Sequence, residues 1–506
     1  MSTSFGLRVL FPLVVAVNAA LTSRAETSVL WGADGERWNP QSRLPDFSYA
    51  GYHSGEAPLP DVPPGVSVKA FGATGDGVTD DTAAFLKALA AVSHGAIEVP
   101  AGRYRITNIL EITRSGVVLR GAGPDKTILV LPTTLQEIKP HWDATTGGKR
   151  TSFYSWYGGF VWFKGELGQH PLADVNLPAP RGNTSLHLLT TNGLYPGQRI
   201  EIYQSDTADN SLAAHLYSGD PGDTHNLKGE TTAALTCRIV RIEGERIYFD
   251  RPLRFDVKPQ WKPCIRSFTP TVSESGVENL CFEFPDTPYK GHFNELGCNA
   301  VTFDQVSDCW ARHLRIVNAD SGIFPDGRFC TIQDIVFESI RQADGSHCTG
   351  HHGIYFYGDD NLFDGFDYRT RFIHDISVSM SAGNVIAGGR GVDLNFDHHR
   401  RAPYENLFVN IDAGAGSRLW DSSGGAALGK HCGARGTFWN IRASVPQHYP
   451  PPDFGSISIN LVGVQTDQPS EKNLAGRWFE AIPPGQILPQ DIHAAQLARR
   501  LKKQKG

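Results

Sequence analysis

The sequence predicts an all-β chain wound as a solenoid, and three observations carry that reading. Glycine fills 53 of 506 positions, against a usual ~7%, and shows no G-X-Y period, so the excess serves tight turns between many short strands. From Gly276 onward a polar residue followed by alternating apolar positions recurs: Asn279-Leu280-Cys281-Phe282, His313-Leu314-Arg315-Ile316, Asp334-Ile335-Val336-Phe337, Asp375-Ile376-Ser377-Val378, Asn406-Leu407-Phe408-Val409 and Asn440-Ile441-Arg442-Ala443. Period-two alternation marks a strand, and the polar residue ahead of it marks a bend. These pivots lie 34, 21, 41, 31 and 34 residues apart, and the shortest interval is one solenoid turn. A sandwich would put hairpin turns between its strands, yet the Asn-Gly pair Asn192-Gly193 lies outside the repeat.

Composition narrows the class further. With 20% charged and 10% aromatic residues the chain folds around a core rather than staying disordered. A net charge of −6 lacks the basic footprint of a nucleic-acid binder.

The elements follow in order. Arg8, the apolar stretch Val9 to Leu21 and Ser23-Arg24-Ala25 read as a signal peptide over 1–25, cut near Ala25-Glu26, too short for the ~20 residues of a membrane span. The mature chain is then expected to be secreted or periplasmic. Eight cysteines form no CxxC pair, so neither a zinc cluster nor a redox motif is indicated. After a leader over 26–66, Thr79-Asp80-Asp81-Thr82 caps a helix carrying Ala83, Phe85, Leu86, Leu89 and Ala90 at helical spacing. That helix, in a segment over 67–132 with the first coils, is expected to lid the solenoid's open end, with Leu86 buried beneath it. An aromatic-rich loop region over 133–182 and a small inserted β module over 183–256 precede the main solenoid over 257–445. The tail, 446–506, ends in Arg499, Arg500, Lys502, Lys503 and Lys505 and reads as a solvated helix or frayed terminus.

The segments Phe71 to Leu89, Ile97 to Ile106 and Gly116 to Gly123 resemble the opening of the pectate-lyase-like, rhamnogalacturonase- and epimerase-related family. The leader Trp31 to Tyr52 is similar to that of a bacterial subgroup of pectate-lyase-like proteins. The resemblance implies a right-handed parallel β-helix and a carbohydrate-active enzyme. The hydrolase branch carries an NTD, DD, HG, RIK series; here Asn318-Ala319-Asp320 and Gly350-His351-His352-Gly353 stand without an acidic pair between them and without RIK.

Candidate site residues come from register, because equivalent positions of stacked coils form ladders ~4.8 Å apart. Counting back eight or nine residues from the pivots gives Asp304, Asp326, His398 and His431, with Asp367 in the longer coil. Alternation along Gly353 to Asp360 and Gly391 to His399 puts Ile354, Phe356, Val392 and Leu394 inside. Outside it leaves Tyr355, Tyr357 and Asp359 beside Asp393, Asn395 and Asp397, with Asp360 nearby. The basic group His398, His399, Arg400, Arg401, Lys430 and His431 suits an acidic polysaccharide.

Two chemistries fit this face. In β-elimination His399 or Arg401 takes the proton next to a uronic carboxylate, Lys430 or Arg400 neutralises that carboxylate, and Asp326, Asp359 and Asp397 hold hydroxyls or a cation such as Ca2+. In inverting hydrolysis two carboxyls ~6.5–9.5 Å apart act as acid and base, drawn from Asp304, Asp326, Asp359 and Asp397. A non-catalytic glycan binder is the third class, since fold does not fix function. His347, His351 and His352 resemble a metal cluster without a third-ligand pattern. Cys309 and Cys330 each precede a pivot by four residues and are expected on adjacent coils, either bridged or as a reduced buried ladder. The chain is expected to be a monomer.

Overall fold

In the computed structural model, which describes residue 1, residues 25–471 and residues 476–505, the chain coils so that two stacks of parallel strands share one apolar core. The signal-peptide reading falls on residues outside those described. The architecture is a right-handed parallel β-helix. The smaller stack holds, in order, β1 (Leu110–Ile112), β2 (Val161–Lys164), β3 (Asn299–Ser307), β4 (Ser321–Arg328), β5 (Gly350–Phe356), β6 (Phe372–Val378) and β7 (Phe396–His398). The larger sheet runs from Pro64–Ser67 to Trp478–Glu480.

One residue per coil bends the larger sheet. Asn279, His313, Asp334, Gly365, Gly388, Asn410, Asn440 and Gly463 stack in register, each in the left-handed region with φ between 51° and 68°. That conformation costs most residues roughly 1–2 kcal/mol, is free for Gly, and among residues with a side chain is taken most readily by Asn, Asp and His, which explains the residues found. Four expected pivots are correct; Asp375 and Asn406 are not. Ile376 stacks on Ile354 and Phe396 in the smaller sheet. Asn406 instead ends a buried amide ladder in which Asn361 donates to Asn384 (3.2 Å) and Asn384 to Asn406 (3.1 Å).

Helix α1 (Thr82–Ala91) closes the first coil with Phe85, Ala88 and Leu89 buried. Leu86, expected beneath it, points out and is 38% exposed; the inner stripe runs through Phe85 and Leu89, and Phe85 meets Tyr104 edge-on. Cys309 and Cys330 do lie on neighbouring coils, next to the paired Trp310 and Thr331, and both are free thiols.

The insertion is an antiparallel sheet in which the edge strand Pro171–Asp174 pairs with Cys264–Ser267, and Cys264–Ser267 in turn with Arg199–Ser205, extending it beyond 183–256. It has its own core of Ile200, Ile202, Leu235, Ile247 and Ile265. Two of its arginines clamp it to the solenoid: Arg251 reaches Asp360 at 2.9 Å and Arg254 binds the same carboxylate, all three groups buried. Asp360 is therefore an anchor for the module and not a site residue.

Leader and tail complete the stack. Strands Asn460–Val464 and Trp478–Glu480 extend the larger sheet past 445. Glu26–Thr27 pairs with Ile487–Leu488 at the last coils. The leader then runs back along the outer face of the larger sheet, covering Leu407, Val409 and Trp439 with Leu44 and Phe47. Gly51 bonds to Asp360 O and Tyr52 to Thr331 Oγ1, and Pro64–Ser67 joins Gly95–Val99 at the first coil. The closing helix α2 (Ile492–Lys505) is docked rather than frayed: Arg500 donates to Ser48 O at 2.8 Å, and Arg499 lies over Trp31 and Trp38. Among the described residues no helix is long and apolar enough to cross a membrane.

Candidate active site

The register of β5, β6 and β7 aligns Tyr355, Ser377 and Asp397 on the outer face and Ile354, Ile376 and Phe396 on the inner one. Over this row opens a cleft of about 500 Å³ lined by His292, His351, His352, Tyr355, Tyr357 and His399. Its walls are the turn from Ala144 to Gly147, the loop carrying Phe293 and the glycine-rich segment Ser423 to Gly425.

Asp397 is wholly buried beneath the cleft. It accepts hydrogen bonds from His399 Nδ1 (3.0 Å), Ser377 Oγ (2.8 Å) and Ser423 N (2.8 Å), and His374 Nδ1 lies 3.5 Å away. Burial works against its charge, but the His374 and His399 rings and the Ser423 amide outweigh burial and hold the carboxyl well below the usual range. His399 keeps 27% side-chain exposure, and with Nδ1 engaged its Nε2 is left for the cleft. Tyr355 stacks on Tyr357 with ring centroids 4.2 Å apart and stands 5.4 Å from the His399 ring. Burial raises both phenols above their ordinary value, so each is a protonated hydroxyl at neutral pH. Tyr357 donates to Trp156 O at 3.2 Å.

Beside this pair His292, His351 and His374 converge, each offering a nitrogen within 4.8 Å of the others. Burial pushes His292 down to about 4 and His374 to about 3, and His351 lies well below the usual histidine value for the same reason. The expected trio differs: His347 is exposed in a turn, while His292 and His374 come from segments distant in sequence.

The remaining expected site residues are placed elsewhere. His398 aligns with Phe356 and Val378 and turns into the core among Phe408, Phe438 and Phe454. Arg400 is held by Asp453 (2.8 Å) and His431 (3.0 Å), and His431 by the carbonyls of His398 and Ser423. Lys430 is drawn off the cleft by Asp220 of the insertion at 2.7 Å. Arg401 stays exposed, within electrostatic reach of Tyr355. Asp359 is buried against Arg328 (3.3 Å) and the Ala382 amide (2.7 Å). Asp393 is buried against Arg371 and Ser417, and Asn395 against the backbone of Asp375 and Ile373. Alternation fails there because the strand breaks before Phe396, leaving Val392, expected inside, 50% exposed. Asp359 and Asp397 are thus claimed by Arg328 and by the histidines, and among the described residues Asp326, Asp359 and Asp397 do not form a metal-holding group.

Asp304 and Asp326 do pair across β3 and β4. Trp162 Nε1 donates to Asp304 and Tyr157 OH to Asp326, each at 3.1 Å. Burial raises the Asp326 carboxyl to about 6 against the opposing pull of Arg328. Asp367 leaves this ladder altogether: it lies on the other sheet, paired with Arg369 and Arg390 at 3.0 Å. Sequence reasoning passed over His292, His374, Ser377, Ser423 and Tyr157; only His374, two residues before Ile376 and in register with His352, carried a readable signal.

The coil that begins the solenoid decides the family likeness. Residues 65–149 match the family described as Rhamnogalacturonase A/epimerase, pectate lyase-like. Among curated proteins, the chain is 32% identical over 142 residues to mannuronan C5-epimerase AlgE5 of Azotobacter vinelandii, covering 26% of the chain and 13% of that protein. It is 43% identical over 65 residues to the pre-neck appendage protein of Bacillus phage B103, covering 13% of the chain and 7% of that protein. Among solved structures, the tailspike gp49 of Pseudomonas phage LKA1 aligns with TM-score 0.48 and 14% identity, over 80% of this chain and 69% of that one. The Azotobacter vinelandii mannuronan C-5 epimerase AlgE4 A-module aligns with TM-score 0.33 and 14% identity, over 79% and 77%.

Proposed function

We propose that the chain is a carbohydrate-active enzyme that cleaves an acidic, uronic-acid-containing polysaccharide by β-elimination in this cleft. The observation that carries the reading is His399, oriented by a buried carboxylate and facing an aromatic-walled cleft. His399 Nε2 takes the proton next to the uronic carboxylate. The electron pair left behind forms the new carbon–carbon double bond as the glycosidic C–O bond breaks, and the leaving oxygen takes a proton from the Tyr355 hydroxyl. Solvent then returns a proton to tyrosinate and removes one from the imidazolium. Asp397 stabilises that imidazolium without titrating itself. Tyrosine faces offer stacking surfaces to sugar rings, and Arg401 adds positive charge at the rim. The named relative AlgE5 acts on mannuronan, a polyuronate, which supports a uronic substrate.

A second reading has its own observation. Asp304 and Asp326 stack on one face of the same sheet, and burial raises the Asp326 carboxyl to about 6 against the pull of Arg328, so that it can serve as the protonated acid of a carboxyl pair. Product analysis on a panel of uronic-acid polymers separates the two. Unsaturated, ultraviolet-absorbing ends lost in His399→Ala support elimination; new reducing ends without absorbance, lost in Asp326→Asn, support hydrolysis. Retention of the polymer with neither product overturns both and leaves a binder.

A further inference from the structure

Three imidazoles gathered from three separate segments are seldom needed for packing alone. His292 comes from the loop between two coils, His351 from β5 and His374 from β6, and their nearest nitrogens all lie within 4.8 Å of one another. We propose that His292, His351 and His374 form a binding site for one divalent transition-metal ion of the zinc class, with its open coordination position facing the cleft.

The surroundings have the form that such a site requires. His351 Nδ1 faces Glu295 Oε1 at 3.6 Å and His374 Nδ1 faces Asp397 Oδ2 at 3.5 Å. A carboxylate behind one ring nitrogen fixes the tautomer and leaves the opposite nitrogen bare, which is how metal-bound histidines are oriented. Glu295 Oε2 and the two Nδ1 atoms are buried without a hydrogen-bond partner, buried polar groups that call for a partner the protein's own contacts do not supply. The Ser423 hydroxyl, 3.3 Å from His374 Nε2, is a competing partner that the ion displaces. Tetrahedral bonds of about 2.1 Å set nitrogens roughly 3.4 Å apart, so closure needs movements of an ångström or so.

Ligand chemistry selects the ion. Three neutral imidazoles suit zinc, cobalt, nickel or copper and do not suit calcium, which takes oxygen ligands. Three protein ligands with a fourth position toward a cleft is the arrangement of catalytic rather than structural zinc sites. The ion's role rests on the elimination reading: at the open position it holds the uronic carboxylate, for which no arginine or lysine among the described residues lines the cleft.

Metal content tests the site without substrate. The full chain is stripped with a chelator, equilibrated with Zn2+ or Co2+, desalted and measured by elemental analysis, with the visible spectrum of the Co2+ form as a second readout. Wild type is expected to hold one ion per chain with the intense absorption of low-coordinate cobalt, and His225→Ala, an exposed histidine of the insertion, to match it. His351→Ala and His374→Ala are expected to bind at least about tenfold more weakly. Should either buried variant fail to fold, His292→Ala, the least buried of the three, gives the same reading. Wild-type chain that retains no ion, or folded ligand variants that bind as wild type does, overturns the proposal. Because binding is read without sugar, a metal-loaded chain that cleaves no uronate leaves the site standing and overturns only the elimination reading.

Discussion

Asp397 sits behind His399, with its carboxylate 3.0 Å from the ring's Nδ1 and no exposure to solvent. The pair fixes which nitrogen carries the proton, so the orientation of the base is set by a residue that substrate does not reach.

Asp397→Asn keeps the shape and presents an amide, which favours the wrong tautomer of His399. Turnover is expected to fall by about 10²–10⁴-fold, with KM little changed, and the same loss is expected of His399→Ala. Steady-state kinetics on variants with wild-type unfolding curves is the check; full turnover in either removes this pair from the chemistry.

Asp360 is the one acidic partner of Arg251 and Arg254 at the module interface in the ion pairs described. Asp360→Ala leaves two buried guanidinium groups without their carboxylate and is expected to cost about 3–5 kcal/mol, read from urea unfolding. A loss below about 1 kcal/mol would mean that the insertion is held by its apolar contacts instead.

On the lid helix, Phe85 and Leu86 are neighbours with opposite fates. Phe85→Ala empties a packed position at 1% exposure and is expected to cost about 3–5 kcal/mol, whereas Leu86→Ala stays within about 1 kcal/mol. Equal costs in chemical denaturation would contradict the helix orientation.

Asp326 gives a pH signature. Its carboxyl is raised to about 6 by burial against the pull of Arg328, while an unfolded aspartate titrates near ~3.9. The folded chain then holds this proton more tightly, so its stabilising effect is complete below about pH 4 and is lost as pH rises through about 6. Asp326→Asn removes that loss: its urea midpoint relative to wild type should climb across this window and level off above it. A pH-independent difference between the two would sink the assignment.

The winding was legible because polar pivots announce it, as at Asn279, His313, Asp334 and Asn440. Where glycine takes the same left-handed position, at Gly365, Gly388 and Gly463, no polar mark remains, so Asp375 of the smaller sheet stands out in its place; in the next coil Asn406 lies four residues ahead of the true pivot, Asn410, and carries the same polar signal. Tyr355, Tyr357, Asp397 and His399 were readable from alternation along two strands. The basic cluster was not, since Asp220 and Asp453, remote in sequence, claim Lys430 and Arg400. His292 reaches the cleft from a loop whose path no periodicity encodes.

The leader that begins at Glu26 docks first onto the last coils and only afterwards onto the first. A chain made from its N-terminus therefore presents these residues long before their binding surface exists. The strap thus ties the two ends of the solenoid together across its outer face, so the final turns carry contacts from residues at the start of the chain as well as from their own neighbours.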